Sequence, residues 1–352
     1  MKLPEVYLSG IGTYVPETTG VGYAIEQGWL TAEDAERTGL TGAACAGETP
    51  APDMALWAGQ QAVARADVDP ESLDVLLYAD NYHSGPDGWF PQFWLQRHLV
   101  GGDLLAAQLR QGCNGMFGAL ELAATYLIAR GGGTAMTVAS DNSTSPLVNR
   151  WRCLRPDFII GDAATAVVLT TKPGFARLKS ASSITVPELE GMHRGDEPMF
   201  PPGATVGRFM DFAERIDFFG FEHRDTMLHS GLNLLKTRSE LIDRVLAEAG
   251  IGLDGVSRIA YNHGSRQYVE DGLLTMLGIP LEKSNWDFGR GLGHLGASDQ
   301  VASLAHMLGT GQLEPGDHVL MVGIAPGVSV AGAVVEVLEI PPWAEPVRPS
   351  SR

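Results

Sequence analysis

Apolar and polar positions along the chain fall into a pattern that occurs twice. A helix-like stretch, Met54 to Ala66, leads through Asp69-Pro70 into the apolar run Leu73-Asp74-Val75-Leu76-Leu77-Tyr78, which reads as a buried strand. About 180 residues later Ser239 to Ala249 leads through Gly252 into Val256-Ser257-Arg258-Ile259-Ala260-Tyr261. Small residues then open a long helix in each half: Gly112-Cys113-Asn114-Gly115 before Met116 to Arg130, and Gly293-His294-Leu295-Gly296 before Ala297 to Leu308. Glycines end both helices (Gly131 to Gly133; Gly309 and Gly311), as the left-handed conformation after a helix favours. A strand follows each, Ala135 to Ala139 and His318 to Gly323, and a small-residue and valine strand closes each half, Ala163 to Leu169 and Ala331 to Leu338. A repeat of this length is a duplicated domain rather than a solenoid.

Phe117, Leu120, Leu122, Ala124, Leu127 and Ile128 surround nearly the whole first helix, which predicts burial between two sheets. One such helix per half implies an α/β fold of five layers, αβαβα, with two buried central helices about a pseudo-twofold axis. The boundary is expected between Lys172 and about Ala181, giving halves 1–172 and 173–345 and a disordered tail, 346–352. Between Gly191 and Phe221, six phenylalanines (Phe200, Phe209, Phe212, Phe218, Phe219, Phe221) mark an aromatic insert. It reads equally as a lid or channel wall and as packing between two copies of the chain.

Composition narrows the function classes. Apolar content of 44% and charged content of 19% suit a folded enzyme. A formal net charge of −17 argues against nucleic acid as a partner, because phosphate neutralisation needs a basic face. Met1-Lys2-Leu3-Pro4 runs straight into an alternating segment, with no pattern of a signal peptide. The uncharged stretch Val319 to Val335 is broken by Ala325-Pro326-Gly327 and reads as two strands and a turn, so no membrane partner is expected. Cys45, Cys113 and Cys153 form no full disulfide set and no CxxC spacing, which points to a reducing, cytoplasmic setting and to a reactive thiol rather than a metal site.

Of the three, Cys113 stands at the start of a predicted buried helix, where unsatisfied N–H groups and the helix dipole favour a thiolate. Burial as a small apolar residue is the alternative. The repeat adds partners: a twofold brings Gly293-His294-Leu295-Gly296 towards Cys113, and Tyr261-Asn262-His263-Gly264 ends its strand at the same sheet end as Tyr78-Ala79-Asp80-Asn81. Ligands of α/β sheets collect beyond carboxyl strand ends, so Cys113, His263 and His294 are expected to converge. His83, His98, His193, His223, His229, His306 and His318 read as ordinary core or surface residues.

Gln111-Gly112-Cys113-Asn114-Gly115, Ile160-Gly161-Asp162-Ala163-Ala164, Asn262-His263-Gly264 and Ala325-Pro326-Gly327-Val328-Ser329 stand in an order and spacing that resembles the ketoacyl synthase III enzymes, over roughly Val6 to Ile340. The resemblance implies a duplicated thiolase-type fold and a homodimer. It implies Cys113 as the acyl-accepting thiol, His263 as the family histidine, and the backbone N–H groups of Cys113 and Gly327 as the oxyanion hole. It also implies no permanently bound cofactor, with acyl-CoA or a phosphopantetheinyl acyl carrier protein as donor. Asp162 matches a structural loop residue of the family.

The chain departs from the condensing members where they carry asparagine: His294 stands there, with Asp299 five residues on. A carboxylate on one imidazole nitrogen fixes the tautomer and leaves the other nitrogen free to take a proton. Cys113–His294–Asp299 is thus wiring for deprotonating a hydroxyl or thiol acceptor, a small molecule or a carrier thiol. In this the chain resembles the ketosynthase III-like acyltransferases of polyketide pathways, such as the daunorubicin starter-unit and cervimycin malonyl-ester enzymes. Two alternatives stay open: a Cys113–His263–His294 condensing site, and an Asp299 that serves only the helix dipole. Arg150, Arg152 and Arg155 form a basic cluster that reads either as donor-binding or as a solvated loop.

Overall fold

The duplication is written in the strand order of the sheet. In the computed structural model, which describes residues 1–3, 5–201 and 207–344, the first half supplies β1 (Tyr7–Tyr14), β2 (Val75–Ala79), β3 (Leu105–Leu109), β4 (Thr134–Asp141) and β5 (Ala163–Thr170). The second half supplies β6 (Ala176–Thr185), β7 (Arg258–Ala260), β8 (His318–Ala325) and β9 (Ser329–Val337). Their spatial order is β3-β2-β4-β5-β1-β6-β9-β8-β7. Outward from the junction, β1-β5-β4-β2 therefore mirrors β6-β9-β8-β7. The pairing sense repeats as well: β2 and β4 run parallel, as do β7 and β8, and the remaining neighbours in each half of this mirrored set are antiparallel. The two expected sheets are joined, since Tyr7 and Leu8 pair with Arg177 and Ala176 across the junction.

Five layers follow from which strand face each helix covers. Helix α1 (Ala51–Ala66) packs its alanines on Leu76, Tyr78, Met136, Val138, Ala164 and Val168. The opposite strand faces, Val75, Leu77, Ala135 and Val167, meet α2 (Gly115–Arg130). Behind an aromatic-rich α3 (Phe212–Glu222) comes α4 (Arg224–Ala249), which covers Leu320, Val322, Val330 and Val334 with its C-terminal half. Helix α5 (Asp299–Gly309) lies beside α2 in the central layer, over Val319, Met321, Ala331 and Ala333. Gly10 and Gly12 let β1 touch α1: a Cβ there would stand 2.1 and 1.8 Å from the Ala62 and Ala58 carbonyl oxygens.

Three expectations change. Helix α2 is not buried all round, for Leu122 and Ile128 are about half exposed in the single chain. An apolar surround cannot distinguish a second sheet from a face left open. Helix α4 starts 15 residues before the expected Ser239, because its first half exposes Leu228, Leu232 and Leu235 and so lacks a clean apolar face. The second central helix begins at Asp299, with Gly296–Ser298 in a 3₁₀ turn. Val319 to Val335 is indeed two strands about a turn at Pro326, and no described helix is long and apolar enough to cross a membrane. The expected tail, 346–352, lies outside the described residues.

Candidate active site

The two central helices bring their N-terminal ends together: a Cβ on Gly115 would stand 3.5 Å from that of Ala297. Gly112 turns into α2 with φ +56°, and a side chain there would press on Pro326 and Ala325 at 3.0 and 3.2 Å. Glycine thus lets the loop carrying Cys113 lie directly against the Ala325–Pro326–Gly327 turn. On the other side, His294 is stapled to the 159–161 loop, its N–H donating to Ile159 O (2.7 Å) and its carbonyl accepting from Gly161 N (2.9 Å). That contact needs Gly293, at φ +71°, where a Cβ would meet Ile159 O at 2.6 Å.

Held this way, the His294 ring is bonded at both nitrogens. Nε2 lies 2.8 Å from Cys113 Sγ and Nδ1 lies 2.5 Å from Asp299 Oδ2. Asp299 is wholly buried and also accepts from Leu295 N at Oδ1 (2.7 Å) and from His263 N at Oδ2 (2.8 Å). Burial alone would push the imidazole down, but the sulfur and the carboxylate outweigh it and raise His294 well above the usual histidine range. Burial likewise opposes ionisation of Asp299, and the two histidines reverse that and hold its carboxyl below the usual range. The group is a charge-assisted Cys–His–Asp chain in a dry setting.

His263 meets this group only at Asp299: its ring is buried behind the carboxylate, with Nδ1 3.2 Å from Asp299 Oδ1 and 3.1 Å from Gly293 O, and Nε2 3.0 Å from Ser303 Oγ. Burial, the largest influence, lowers its pKa and favours the neutral ring. The Gly293 carbonyl accepts from Nδ1–H, and Nε2 faces a Ser303 hydroxyl that donates to the Asp299 carbonyl and accepts from Asn285. The reason the ring turns inward is Gly289, whose missing side chain leaves the space: a Cβ there would stand 2.6 Å from the imidazole. The expected convergence of two histidines on the thiol is corrected to one.

The basic cluster divides in the same way. Arg150 is a buried brace: its guanidinium meets both Asp162 oxygens (3.0 and 2.9 Å), Ile160 O and Thr144 Oγ1. Asp162, 0% exposed, also accepts from Ala46 N and Ser143 N. Arg150 is therefore engaged and not free for a donor, contrary to expectation. Arg155 pairs with Asp211 at 2.8 Å, while Arg152 is exposed; both border the cavity. Cys153 is buried and its thiol pushed up to about 12, by burial first, as suits an unreactive residue.

Cys113 and His294 open onto a cavity of about 1020 Å³. Trp29, Trp151, Phe158 and Tyr268 wall one part of it, and Met192, His193, Met210, Phe212 and Ile216 of the insert another. The insert thus supplies cavity wall, while its Phe200 and Phe221 stand exposed. His193, read above as ordinary, borders the cavity with its pKa lowered to about 4, by burial and then by Arg215. Sequence reasoning also passed over Asp141, a cavity residue at the carboxyl end of β4, where burial raises the carboxyl to about 7. The strand-end rule that located His263 applied there too. Nothing in the sequence singles out Phe158 or Tyr268. Among the described residues no group of three or more His, Cys, Asp or Glu is placed to hold a metal ion.

Residues 108–184 match the 3-oxoacyl-[acyl-carrier-protein] synthase III family, and residues 246–337 match its C-terminal part. A β-ketoacyl-[acyl-carrier-protein] synthase III of Clostridium perfringens is 22% identical over 332 residues, 93% of this chain and 98% of that one. The acetoacetyl-CoA synthase NphT7 of a Streptomyces species is 25% identical over 343 residues, 93% and 97% of the two chains. Among solved structures, the acyltransferase ChlB3 shares 52% identity at a TM-score of 0.92, covering 97% of this chain and all of its own. The 3-oxoacyl-[acyl-carrier-protein] synthase III of Aquifex aeolicus has the same fold, at a TM-score of 0.74 and 20% identity, covering 94% and 99%. With a strand order that is duplicated and a relative matched end to end at 52% identity, this chain belongs to the ketoacyl synthase III family and has its thiolase-type fold.

Proposed function

We propose that the protein is an acyltransferase that carries its acyl group on Cys113 and passes it to a hydroxyl or thiol. The observation that supports this reading best is the His294 ring, bonded to the thiol on one side and to Asp299 on the other. Cys113 Sγ attacks the carbonyl of an acyl thioester, on coenzyme A or a carrier protein, as His294 Nε2 takes the thiol proton. The tetrahedral oxyanion is received by the backbone N–H groups of Cys113 and Gly327. Its collapse expels the carrier thiol, which leaves with the proton from His294. The acceptor then enters, gives its proton to Nε2 and attacks the acyl carbon, and the sulfur of Cys113 departs and is reprotonated from the imidazolium. Splitting transfer into two displacements lowers each barrier.

Two features weigh against carbon–carbon bond formation. A condensing site needs two donors facing the enolate, and the buried His263 ring is turned from the cavity. The 52% likeness to the acyltransferase ChlB3 points the same way. The polyketide setting rests on the resemblance of Gly293 to Asp299 to acyltransferases of those pathways. A second copy of the chain would cover the exposed Leu105, Leu122 and Ile128, in keeping with a homodimer.

Incubation with malonyl and other acyl thioesters, followed by intact mass and carbon dioxide measurement, tests the proposal. Acylated Cys113 that is discharged by an added alcohol or thiol is the expected result. Carbon dioxide release with a ketoacyl product would assign condensation instead, and a Cys113 that never gains mass would leave only a binding role.

A further inference from the structure

An asparagine at a helix N-cap ordinarily turns its side chain to the first free N–H groups of that helix. Asn114, the N-cap of α2, does not. Its carboxamide is wholly buried and turned to β9 instead, Nδ2 donating to Ser329 O and to Ser329 Oγ, both at 3.0 Å. The same orientation leaves Oδ1 without a hydrogen-bond partner among the described residues, which is uncommon for a buried polar atom. Space for that oxygen comes from Gly323 on β8, where a Cβ would stand 2.4 Å from it. A forgone cap and an unbonded buried oxygen both disfavour this placement. What the placement gains is a tie between two loops. Cys113 stands one residue before Asn114, and Gly327 two residues before Ser329. Neither backbone N–H of that pair donates to an oxygen among the described residues. Ser329 is a fixed point, the first residue of β9, paired with Ala325 on β8 and Thr185 on β6.

We infer that Asn114 is a positioning residue for acyl transfer: through Ser329 it sets the spacing of the Cys113 and Gly327 N–H groups that receive the tetrahedral oxyanion. The inference rests on the acyl-cysteine reading above and adds a residue to its machinery. An oxyanion donor works over a narrow range, about 2.7–3.1 Å from the oxygen, so a displacement of about half an ångström weakens it while the fold stands. The sulfur of Cys113 is held separately, by His294 Nε2 at 2.8 Å. Asn114 therefore governs the oxyanion donors and leaves activation of the thiol to His294.

Two reactions of the same sulfur separate these contributions. Acylation by a thioester passes through a tetrahedral oxyanion, whereas alkylation by iodoacetamide expels iodide directly and forms none. Both are read as the rate at which Cys113 of the full chain gains mass, with acetyl-, butyryl- and malonyl-CoA as the thioesters. Asn114→Ala is expected to slow acylation about 10–100-fold while alkylation stays within about threefold of the unaltered protein. Ser329→Ala removes one of the two acceptors and keeps the carbonyl. It is expected to slow acylation about threefold, the loss of one hydrogen bond, and to leave alkylation unchanged. That variant carries the test should Asn114→Ala fail to fold. Equal slowing of both reactions would make the tie purely structural and overturn the inference. Acylation that Asn114→Ala leaves unslowed, or Ser329→Ala where it stands in, overturns it too, and both results leave the acyl-cysteine reading intact. Failure of all three thioesters to acylate the unaltered protein overturns both.

Discussion

Asp299 Oδ2 accepts from two histidines at once, from the ring Nδ1–H of His294 at 2.5 Å and from the backbone N–H of His263 at 2.8 Å. The strand end at residue 263 therefore aims the carboxylate, and the carboxylate aims the ring that touches the thiol. Asp299→Asn removes the charge and offers an amide N–H to Nδ1, which puts the ring proton on Nε2. Loading of Cys113 tolerates this partly, because a thiol supplies some thiolate unaided. Discharge to a hydroxyl has no such reserve. We expect the substitution to slow deacylation roughly 10²–10⁴-fold and acylation far less, read by rapid-quench intact mass. Equal slowing of both steps would remove Asp299 from this role.

His263 is assigned here to structure. Its ring joins Gly293 O to Ser303 Oγ, and Ser303 in turn bonds Asn285 and the Asp299 carbonyl. His263→Ala empties that volume and leaves the serine short of a partner, at a cost of about 2–4 kcal/mol, measurable by denaturant unfolding. The folded variant should still acylate Cys113 within a few-fold of the unaltered protein. Loss of acylation at unchanged stability would instead place the ring in the chemistry.

The sequence exposed Cys113, His294 and Asp299 because each sits at or just before the start of a repeated helix, where spacing along the chain becomes spacing in the fold. His263 shows where that logic stops. A strand end locates a backbone, but the direction of the side chain was decided by the absent side chain of Gly289, 26 residues away. Arg150 misled for a similar reason, since its partner Asp162 lies across a loop that no periodicity announces.

Two of the three arginines of the basic cluster, Arg150 and Arg152, sit in settings that predict opposite phenotypes. Arg150 is 11% exposed and Asp162 wholly buried. Asp162→Ala leaves that cation unpaired and should destabilise the fold by about 3–5 kcal/mol. Arg152 is exposed at the cavity rim and has no ion pair among the described residues. Arg152→Ala should leave the melting temperature in place and raise KM for the thioester donor several-fold, more at low than at high salt. Initial rates at two ionic strengths, with a thermal scan, separate the pair. A fall in melting temperature for Arg152→Ala would make it a second brace.

Acid sensitivity should trace in part to His193. Its pKa is about 4 in the fold, pushed down by burial and by Arg215, against the ordinary 6.5. Above pH 6.5 the ring is neutral whether the chain is folded or not, and its contribution to stability is complete. Between 6.5 and 4 the unfolded chain takes up a proton that the folded one refuses, so stability falls with pH, by at most about 3 kcal/mol once both forms are protonated. Asp141 runs against this trend. Burial raises its carboxyl to about 7, so the folded state gains as pH falls from there towards 3.8. The total profile mixes the two, and the informative quantity is the difference between the unaltered protein and His193→Gln. That difference should be flat above pH 6.5 and grow in favour of the glutamine variant down to pH 4. A difference that is constant across the range would mean that His193 is as free to take a proton in the fold as in the unfolded chain.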